Sequence, residues 1–169
     1  MELVYLETTF VSYLVALPAR DILIAAHQQV TRDWWQFRRD QFRCVVSPVV
    51  IDEISLGDKS EVAKRLAIVD SLDVLETSSD AEYLALAIMD SGILPARAVR
   101  DAAHIAVAAV HGVNYLLTWN CRHIANAKIL KRIQMICDDR GFDIPLICTP
   151  EELLEETEDE GCSNCRRSS

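Results

Sequence analysis

The sequence predicts an α/β fold with a central, mostly parallel sheet, and three observations lead to that prediction. Short β-favouring segments alternate with longer segments of helical periodicity along the chain. Half of the residues are hydrophobic but only 7% are aromatic, a balance typical of helices packed on a small buried sheet. A length of 169 residues suits one domain. We therefore expect right-handed crossovers that put helices on both faces of the sheet.

The first half of the chain contains three predicted strands with helices between them. The strands are expected at 2–6, 43–47 and 73–75, and the helices at 10–17, from Asp21 to about Phe42, from Pro48 to Gly57 and at 60–71. Asp21 and Ser47 are suitable N-cap residues, and Pro48 suits the first turn of a helix. Trp34 and Trp35 lie near the end of the long second helix, and with residues 10–17 they are candidates for an interface.

The second half continues the alternation. Helices are expected at 79–91, 96–111 and 122–139, each followed by a glycine that can end it, and strands at 114–118 and 143–148. Thr149 and Pro150 predict the start of a short last helix. We expect one domain at 1–155 and an acidic, cysteine-containing, disordered tail at 156–169.

The charge of the chain argues against general nucleic-acid binding. The net charge is −9, of which residues 151–169 contribute −5 through seven acidic residues and two arginines. Because the remaining body is also acidic, any nucleic acid must be met by a local basic patch or by a bound cation.

The cysteines and the N-terminus indicate where the protein resides. Four of the six cysteines are scattered through apolar segments, as free thiols are in a reducing compartment. Cys162 and Cys165 form a CxxC pair without a second pair to complete a zinc site, so solvated thiols are the favoured interpretation. The first residues lack the features of a signal peptide, and no segment is long and apolar enough to span a bilayer. We therefore expect a cytoplasmic protein with no membrane association.

Four polar residues are expected to converge at one edge of the sheet. Glu7 and Asn120 follow predicted strands, Glu53 lies in the helix after the second strand, and Asp101 lies in the helix that leads into the fourth. Functional crevices of such sheets lie beyond the carboxyl ends of the strands. Clustered carboxylates repel one another, and a hard cation such as Mg²⁺ or Mn²⁺ relieves that repulsion with oxygen ligands. Such a cation also attracts a phosphodiester.

Four segments together resemble the PIN domain family: LVYLETTFVSYL, SPVVIDEIS, RDAAHIAVAAVHG and NYLLTWNCRHIAN. The resemblance covers about residues 2–150. It implies a three-layer α/β/α sandwich with strand order 3-2-1-4-5, and a Mg²⁺- or Mn²⁺-dependent endoribonuclease acting on single-stranded RNA. Many bacterial members are VapC-type toxins, which are commonly dimeric and are silenced by an antitoxin protein. The resemblance therefore also implies a homodimer and an antitoxin partner.

The resemblance assigns a role to each residue of the predicted edge. Glu7 stands where the family usually has its first aspartate, while Glu53 and Asp101 match the family's next two acids. Asn120 stands where a fourth acid is often found. Either Thr8 or Thr118 is expected to supply a hydroxyl to a carboxylate, and His104 or His123 to replace the missing acid or hold a phosphate.

Two departures from the family pattern leave alternatives open. Glu7 extends its carboxylate by about 1.5 Å relative to aspartate, and the amide of Asn120 is a weaker ligand than a carboxylate. A second hypothesis is thus a catalytically weakened PIN-fold module that binds RNA or protein. In a third, the chain is an unrelated α/β domain whose acids decorate the surface far apart. On that view Glu7 is a simple helix cap and His104 a packing residue.

Overall fold

The computed structural model describes residues 1–154, and the tail predicted at 156–169 lies outside the described residues. Strands and helices alternate as the sequence predicts. The elements in chain order are β1 (Leu3–Leu6), α1 (Thr8–Val15), α2 (Ile22–Phe37), β2 (Arg43–Val46), α3 (Pro48–Ile54), α4 (Lys59–Val69), β3 (Asp73–Val74), α5 (Ser79–Asp90), α6 (Val99–Val110), β4 (Tyr115–Leu117), α7 (Ala127–Asp138) and β5 (Leu146–Cys148).

The five strands form one parallel sheet in the order β3-β2-β1-β4-β5, which confirms the predicted strand order. β1 lies at the centre, pairing Val4 with Cys44 of β2 and Tyr5 with Leu116 of β4. Val4, Tyr5 and Leu6 are all fully buried, because a parallel sheet needs helices on both faces. The chain therefore adopts the predicted α/β/α layering, and its strands all end at the same edge.

The most buried helix is α6, which brings Asp101 and His104 to that edge. Four of its seven buried residues are alanines: Ala102, Ala106, Ala108 and Ala109. Small side chains let the helix lie close to the sheet and to α5, while the polar residues point toward one end. Gly112 follows α6 with a φ of 61°, a left-handed conformation that suits the glycine predicted to end this helix.

One aromatic residue of α2, Trp34, is part of the core. Trp34 is fully buried and packs edge-on against Phe10, with ring centroids 5.5 Å apart. Phe10 and Val11 are also fully buried. The prediction that these residues form an interface is therefore wrong for Trp34, Phe10 and Val11, since the protein's own core already covers them.

Several element boundaries differ from the predictions. Helix α2 ends at Phe37 instead of about Phe42, and a 3₁₀ turn at Arg39–Gln41 leads into β2. Helix α7 begins at Ala127 instead of 122, because residues 120–126 form turns beside Asp101. Strand β5 begins at Leu146, directly after Pro145, which has no N–H to donate to a ladder. The last predicted helix is a 3₁₀ segment, Pro150–Leu153.

The described cysteines are free, as the sequence predicts. Burial raises the pKa of Cys148 to about 12 and the pKa values of Cys44 and Cys137 to about 11. These three thiols are therefore protonated at neutral pH and unreactive, since the thiolate is the nucleophile. Within residues 1–154, no helix has both the length and the apolar character that crossing a membrane requires.

Candidate metal centre

The polar residues of interest lie where the three central strands end. Glu7 directly follows β1, Ser47 directly follows β2 and Thr118 directly follows β4. Because the strands are parallel, these three positions meet at one edge of the sheet. The Glu7 N–H donates to the carbonyl of Leu117 at 3.1 Å, which holds the end of β1 against the end of β4.

Glu7 is buried and held by three donors. Its side chain is the N-cap of α1 and accepts from the Thr9 N–H at 3.0 Å. The same oxygen, Oε2, accepts from the hydroxyls of Thr9 at 2.5 Å and Thr118 at 2.8 Å. The predicted alternative, a helix cap, is therefore true of Glu7, but only 3% of the residue is exposed. A carboxylate that is both buried and fixed in this way is more than a solvated cap.

Glu53 projects from α3 toward Glu7. Its Oε2 atom accepts from the Thr8 hydroxyl at 2.5 Å and lies 2.8 Å from His104 Nε2. Arg100 Nη1 lies 3.8 Å from the other oxygen, Oε1. Burial on its own would raise the pKa of Glu53, but the hydrogen bonds from His104 and Thr8 and the electrostatic attraction of His104 and Arg100 outweigh it. The pKa therefore lies below its ordinary value, and the carboxylate is ionised at neutral pH.

His104 connects Glu53 to a buried chain of hydroxyl groups. Its Nδ1 atom lies 2.7 Å from the Tyr5 hydroxyl, which lies 2.7 Å from the hydroxyl of Ser47. All three residues are fully buried. Ser47 makes no side-chain cap for α3, contrary to the prediction, because its hydroxyl bonds to Tyr5 instead.

The direction of this chain follows from what each group can donate. An ionised Glu53 only accepts, so the proton of the His104–Glu53 contact lies on Nε2. In a neutral ring Nδ1 then accepts from Tyr5, whose pKa is raised by burial so that its hydroxyl keeps its proton. Tyr5 in turn accepts from Ser47. The chain thus fixes the tautomer of His104, which orients the Glu53 carboxylate.

Glu7, Glu53 and His104 form the inner cage. One nitrogen or oxygen atom of each lies within 4.8 Å of those of the other two, so the trio could surround a metal ion, with Glu7 and Glu53 as ligands and His104 holding Glu53. Within residues 1–154, no other group of acids, histidines or cysteines is gathered this closely. The proximity of Glu7 to Glu53 contradicts the hypothesis that the predicted acids are scattered over the surface.

Asp101, Asn120 and His123 form a second group, the outer cluster, one helical turn from His104 on α6. Asp101 Oδ1 accepts from Asn120 Nδ2 at 3.1 Å, and Asp101 Oδ2 accepts from His123 Nδ1 at 2.8 Å. The Asn120 Oδ1 atom accepts from the His123 N–H at 3.1 Å, which fixes the turn after β4. The Asn120 N–H donates to Thr118 Oγ1 at 2.9 Å, so Thr118 joins the outer cluster to Glu7.

The predicted residues are thus found in two neighbouring groups. The inner cage contains Glu7, Glu53 and His104 with the hydroxyls of Thr8 and Thr118, and the outer cluster contains the other three. The sequence analysis missed the roles of Thr9, Tyr5 and Ser47 in the site. A signal existed for two of them: Thr9 follows Glu7 at the spacing of a helix cap, and Ser47 ends β2 as Glu7 ends the neighbouring strand.

Comparisons with known proteins bear on the fold. No family model and no curated protein matches the sequence. Among solved structures, the chain is similar to a chain of VapBC2 from Rickettsia felis, in a complex bound to a DNA fragment from their promoter. The TM-score is 0.57 at 14% sequence identity, and the match covers 87% of this chain and 98% of that one. This likeness, together with the strand order 3-2-1-4-5, shows a PIN-like α/β fold.

Proposed function

We propose that the protein is a metal-dependent hydrolase that cleaves phosphodiester bonds in single-stranded RNA. Mg²⁺ or Mn²⁺ would be held by Glu7, Glu53 and Asp101, with Asn120 assisting. The observation that supports this best is the close pair formed by a buried carboxylate, Glu7, and a partly buried one, Glu53, at the carboxyl edge of a parallel sheet. Two carboxylates this close repel each other, and a divalent cation with oxygen ligands relieves that repulsion.

The donor set fits a hard divalent cation. Oε2 of Glu7 and Oε2 of Glu53 are occupied by protein donors, whereas Oε1 of each accepts no hydrogen bond within residues 1–154. The groups that face these two free oxygens are His104 Nε2 and Arg100 Nη1, each at 3.8 Å. Metal-ligating carboxylates are typically held in this way, with one oxygen fixed by outer hydrogen bonds and one left for the metal.

The chain's own residues would position both the substrate and the charge. A bound Mg²⁺ or Mn²⁺ would supply positive charge for the phosphodiester and acidify an attacking water. Thr9 and Thr118 keep Glu7 in place, and His104 keeps Glu53 in place. Arg100 is about half exposed beside Glu53, so it can contact a phosphate at the rim. His123 presents an Nε2 atom that has no protein hydrogen-bond partner within residues 1–154 and could do the same.

A second candidate function is a non-catalytic module of the same fold that binds RNA or protein. The arrangement of Asp101 favours it, because both of its oxygens are engaged by Asn120 and His123 and its carboxylate is outside the inner cage. An active site would need Asp101 to exchange at least one of these contacts for the metal.

We further propose cytoplasmic partners of two kinds: an antitoxin protein and a second copy of this chain. The similar solved structure is a complex, VapBC2, which supports a protein partner for this fold. Large apolar side chains are exposed on α5 and α6, including Tyr83, Leu86 and Val99, each more than half exposed. Such side chains support an interface on that face.

Titration calorimetry with Mn²⁺ tests the proposal. We expect saturable binding by the wild type, loss of binding in Asp101→Ala, and unchanged binding in Asp52→Ala. Asp52 is the matched control because it is an exposed acid beside Glu53 on α3. The wild type and Asp52→Ala should cleave a labelled single-stranded RNA, and Asp101→Ala should not. Absence of binding at millimolar Mn²⁺ would reject the enzyme in favour of the binding module, and equal binding by all three proteins would exclude Asp101 as a ligand.

A further inference from the structure

Three aromatic rings stack beside the carboxylates and take no part in the metal centre. Trp119, which lies between Thr118 and Asn120, stacks face to face on His27 of α2, with ring centroids 4.0 Å apart and planes 12° apart. Tyr13 of α1 lies 6.5 Å from both rings, with planes inclined by 24° and 30°. The three rings are thus close to parallel, although they come from three separate elements.

The stack is fixed in orientation by hydrogen bonds. The indole N–H of Trp119 donates to the hydroxyl of Thr31 at 2.8 Å, and that hydroxyl donates to the carbonyl of His27 at 2.7 Å. Thr31 is fully buried. The backbone N–H of Trp119 donates to Thr9 Oγ1 at 2.8 Å, and Thr9 holds Glu7. A single hydroxyl therefore joins the aromatic stack to the inner cage.

These rings differ from the aromatic residues of the core. Trp34 and Phe10 are fully buried and meet edge to face, whereas Tyr13, His27 and Trp119 are half-buried and roughly parallel. Each of the three residues is therefore partly exposed to solvent, and Trp119 is linked to Glu7 through the hydroxyl of Thr9. Flat aromatic faces beside a phosphodiester site are what proteins use to stack bases of single-stranded nucleic acids.

We propose that Tyr13, His27 and Trp119 form a stacking platform for a nucleobase of the RNA strand whose backbone lies at the metal centre. This inference rests on the proposed nuclease function and explains its preference for single strands, because the base faces of a duplex are already stacked. It also explains how a chain of net charge −9 gains affinity for RNA. Stacking needs no positive surface, whereas counterion release does.

The platform predicts a position-specific contribution of one base to binding. The probe is a labelled single-stranded RNA of mixed sequence. In a series of such RNAs, one nucleotide at a time is made abasic. Binding of each RNA is measured by fluorescence anisotropy with Ca²⁺ in place of Mn²⁺. For the wild type, one abasic position should weaken binding roughly ten-fold, which corresponds to about 1.4 kcal/mol. In Trp119→Leu, intact RNA should bind about ten-fold more weakly, and no abasic position should cause a further loss.

The control is Trp35→Leu. Trp35 is also half-buried, but it stacks with Arg39 away from the strand edge, so this variant should keep the wild-type abasic profile. Mn²⁺ calorimetry on each variant shows that the metal centre is intact. An unchanged abasic profile in Trp119→Leu would overturn the platform while leaving the nuclease proposal standing. Failure of the wild type to bind any single-stranded RNA, with Mn²⁺ binding retained, would overturn the RNA substrate and the platform together.

Discussion

The inner cage and the outer cluster are held in place by different means. The cage side chains of Glu7, Glu53 and His104 are 4%, 20% and 0% exposed, and hydroxyls of β1, α1 and the ends of β2 and β4 fix them. The outer cluster is bound mostly by its own members and is half-buried, with Asp101 18% and His123 15% exposed. A metal would therefore meet two carboxylates oriented by hydroxyl groups on one side and a carboxylate held by an amide and an imidazole on the other.

The largest effect on stability should come from Glu7→Ala. This change removes the N-cap of α1, worth about 0.5–2 kcal/mol, and leaves buried donors of Thr9 and Thr118 without their acceptor, at a further ~1–3 kcal/mol. Loss of the repulsion between Glu7 and Glu53 offsets part of this cost, so we expect the free energy of unfolding without metal to fall by about 2–3 kcal/mol, measured by urea denaturation. In Asp101→Ala the loss should stay below about 1 kcal/mol, since His123 and Asn120 can turn to water. Equal losses in the two variants would contradict the division between cage and cluster.

The next largest effect should be on metal affinity, in His104→Gln. The substitution breaks the chain from Ser47 to Glu53 and releases a ligand from its fixed orientation, and outer-shell changes of this kind cost roughly 10–100-fold in metal affinity. Tyr5→Phe should give a smaller loss of the same sign, because it removes the donor that fixes the His104 tautomer. Tyr115→Phe is the control, as its hydroxyl contacts Glu2 at the other end of the sheet. If Mn²⁺ titration shows that Tyr5→Phe binds the ion as tightly as Tyr115→Phe does, the hydrogen-bonded chain from Ser47 to Glu53 has only a structural role.

A smaller change is expected in Asn120→Asp, with opposite effects on metal binding and stability. A carboxylate at 120 adds an anionic ligand but loses the amide donor to Asp101 and faces it with a like charge. We expect tighter Mn²⁺ binding, and a metal-free protein less stable by about 1 kcal/mol, which lowers the Tm by roughly 2–4 °C. Thermal melts with and without Mn²⁺ measure both. Asn120→Ala, which loses the donor without adding charge, should weaken Mn²⁺ binding, and tighter binding in that variant would contradict the ligand role.

The smallest effect should appear in the acid limb of the pH–stability profile. The pKa of Glu53 is lower in the folded protein than its ordinary value of 4.5, so the unfolded chain binds the proton more readily. Glu53 therefore contributes stability above pH 4.5, and that contribution is lost as the pH falls through the folded-state pKa. As the pH falls below 4.5, Glu53→Gln should lose less stability than the wild type. Parallel profiles for the two proteins would show that the hydrogen bonds of Glu53 do not persist in solution.

The fold was more predictable from the sequence than the site was. The parallel sheet and its order were predictable because buried strands, Ala-rich helix α6 and the glycines after α5, α6 and α7 each have strong local signals. Boundaries were missed where tertiary contacts decide them. The turns before α7 depend on hydrogen bonds of Asn120 and His123 with Asp101 and with each other. No local sequence pattern predicts those hydrogen bonds.

The sequence by itself determined that acids and hydroxyls follow the strands, because strand ends are set by local hydrophobicity and parallel strands share an edge. Only the tertiary structure decided how those residues divide. In the folded protein, Tyr5 and Ser47 form a buried hydrogen-bonded chain to His104. Asp101 lies in a different group from Glu7 and Glu53. The tertiary structure also assembled Tyr13, His27 and Trp119 from three elements into one stack. Such contacts join residues up to 111 positions apart, and their geometry depends on packing of the whole core.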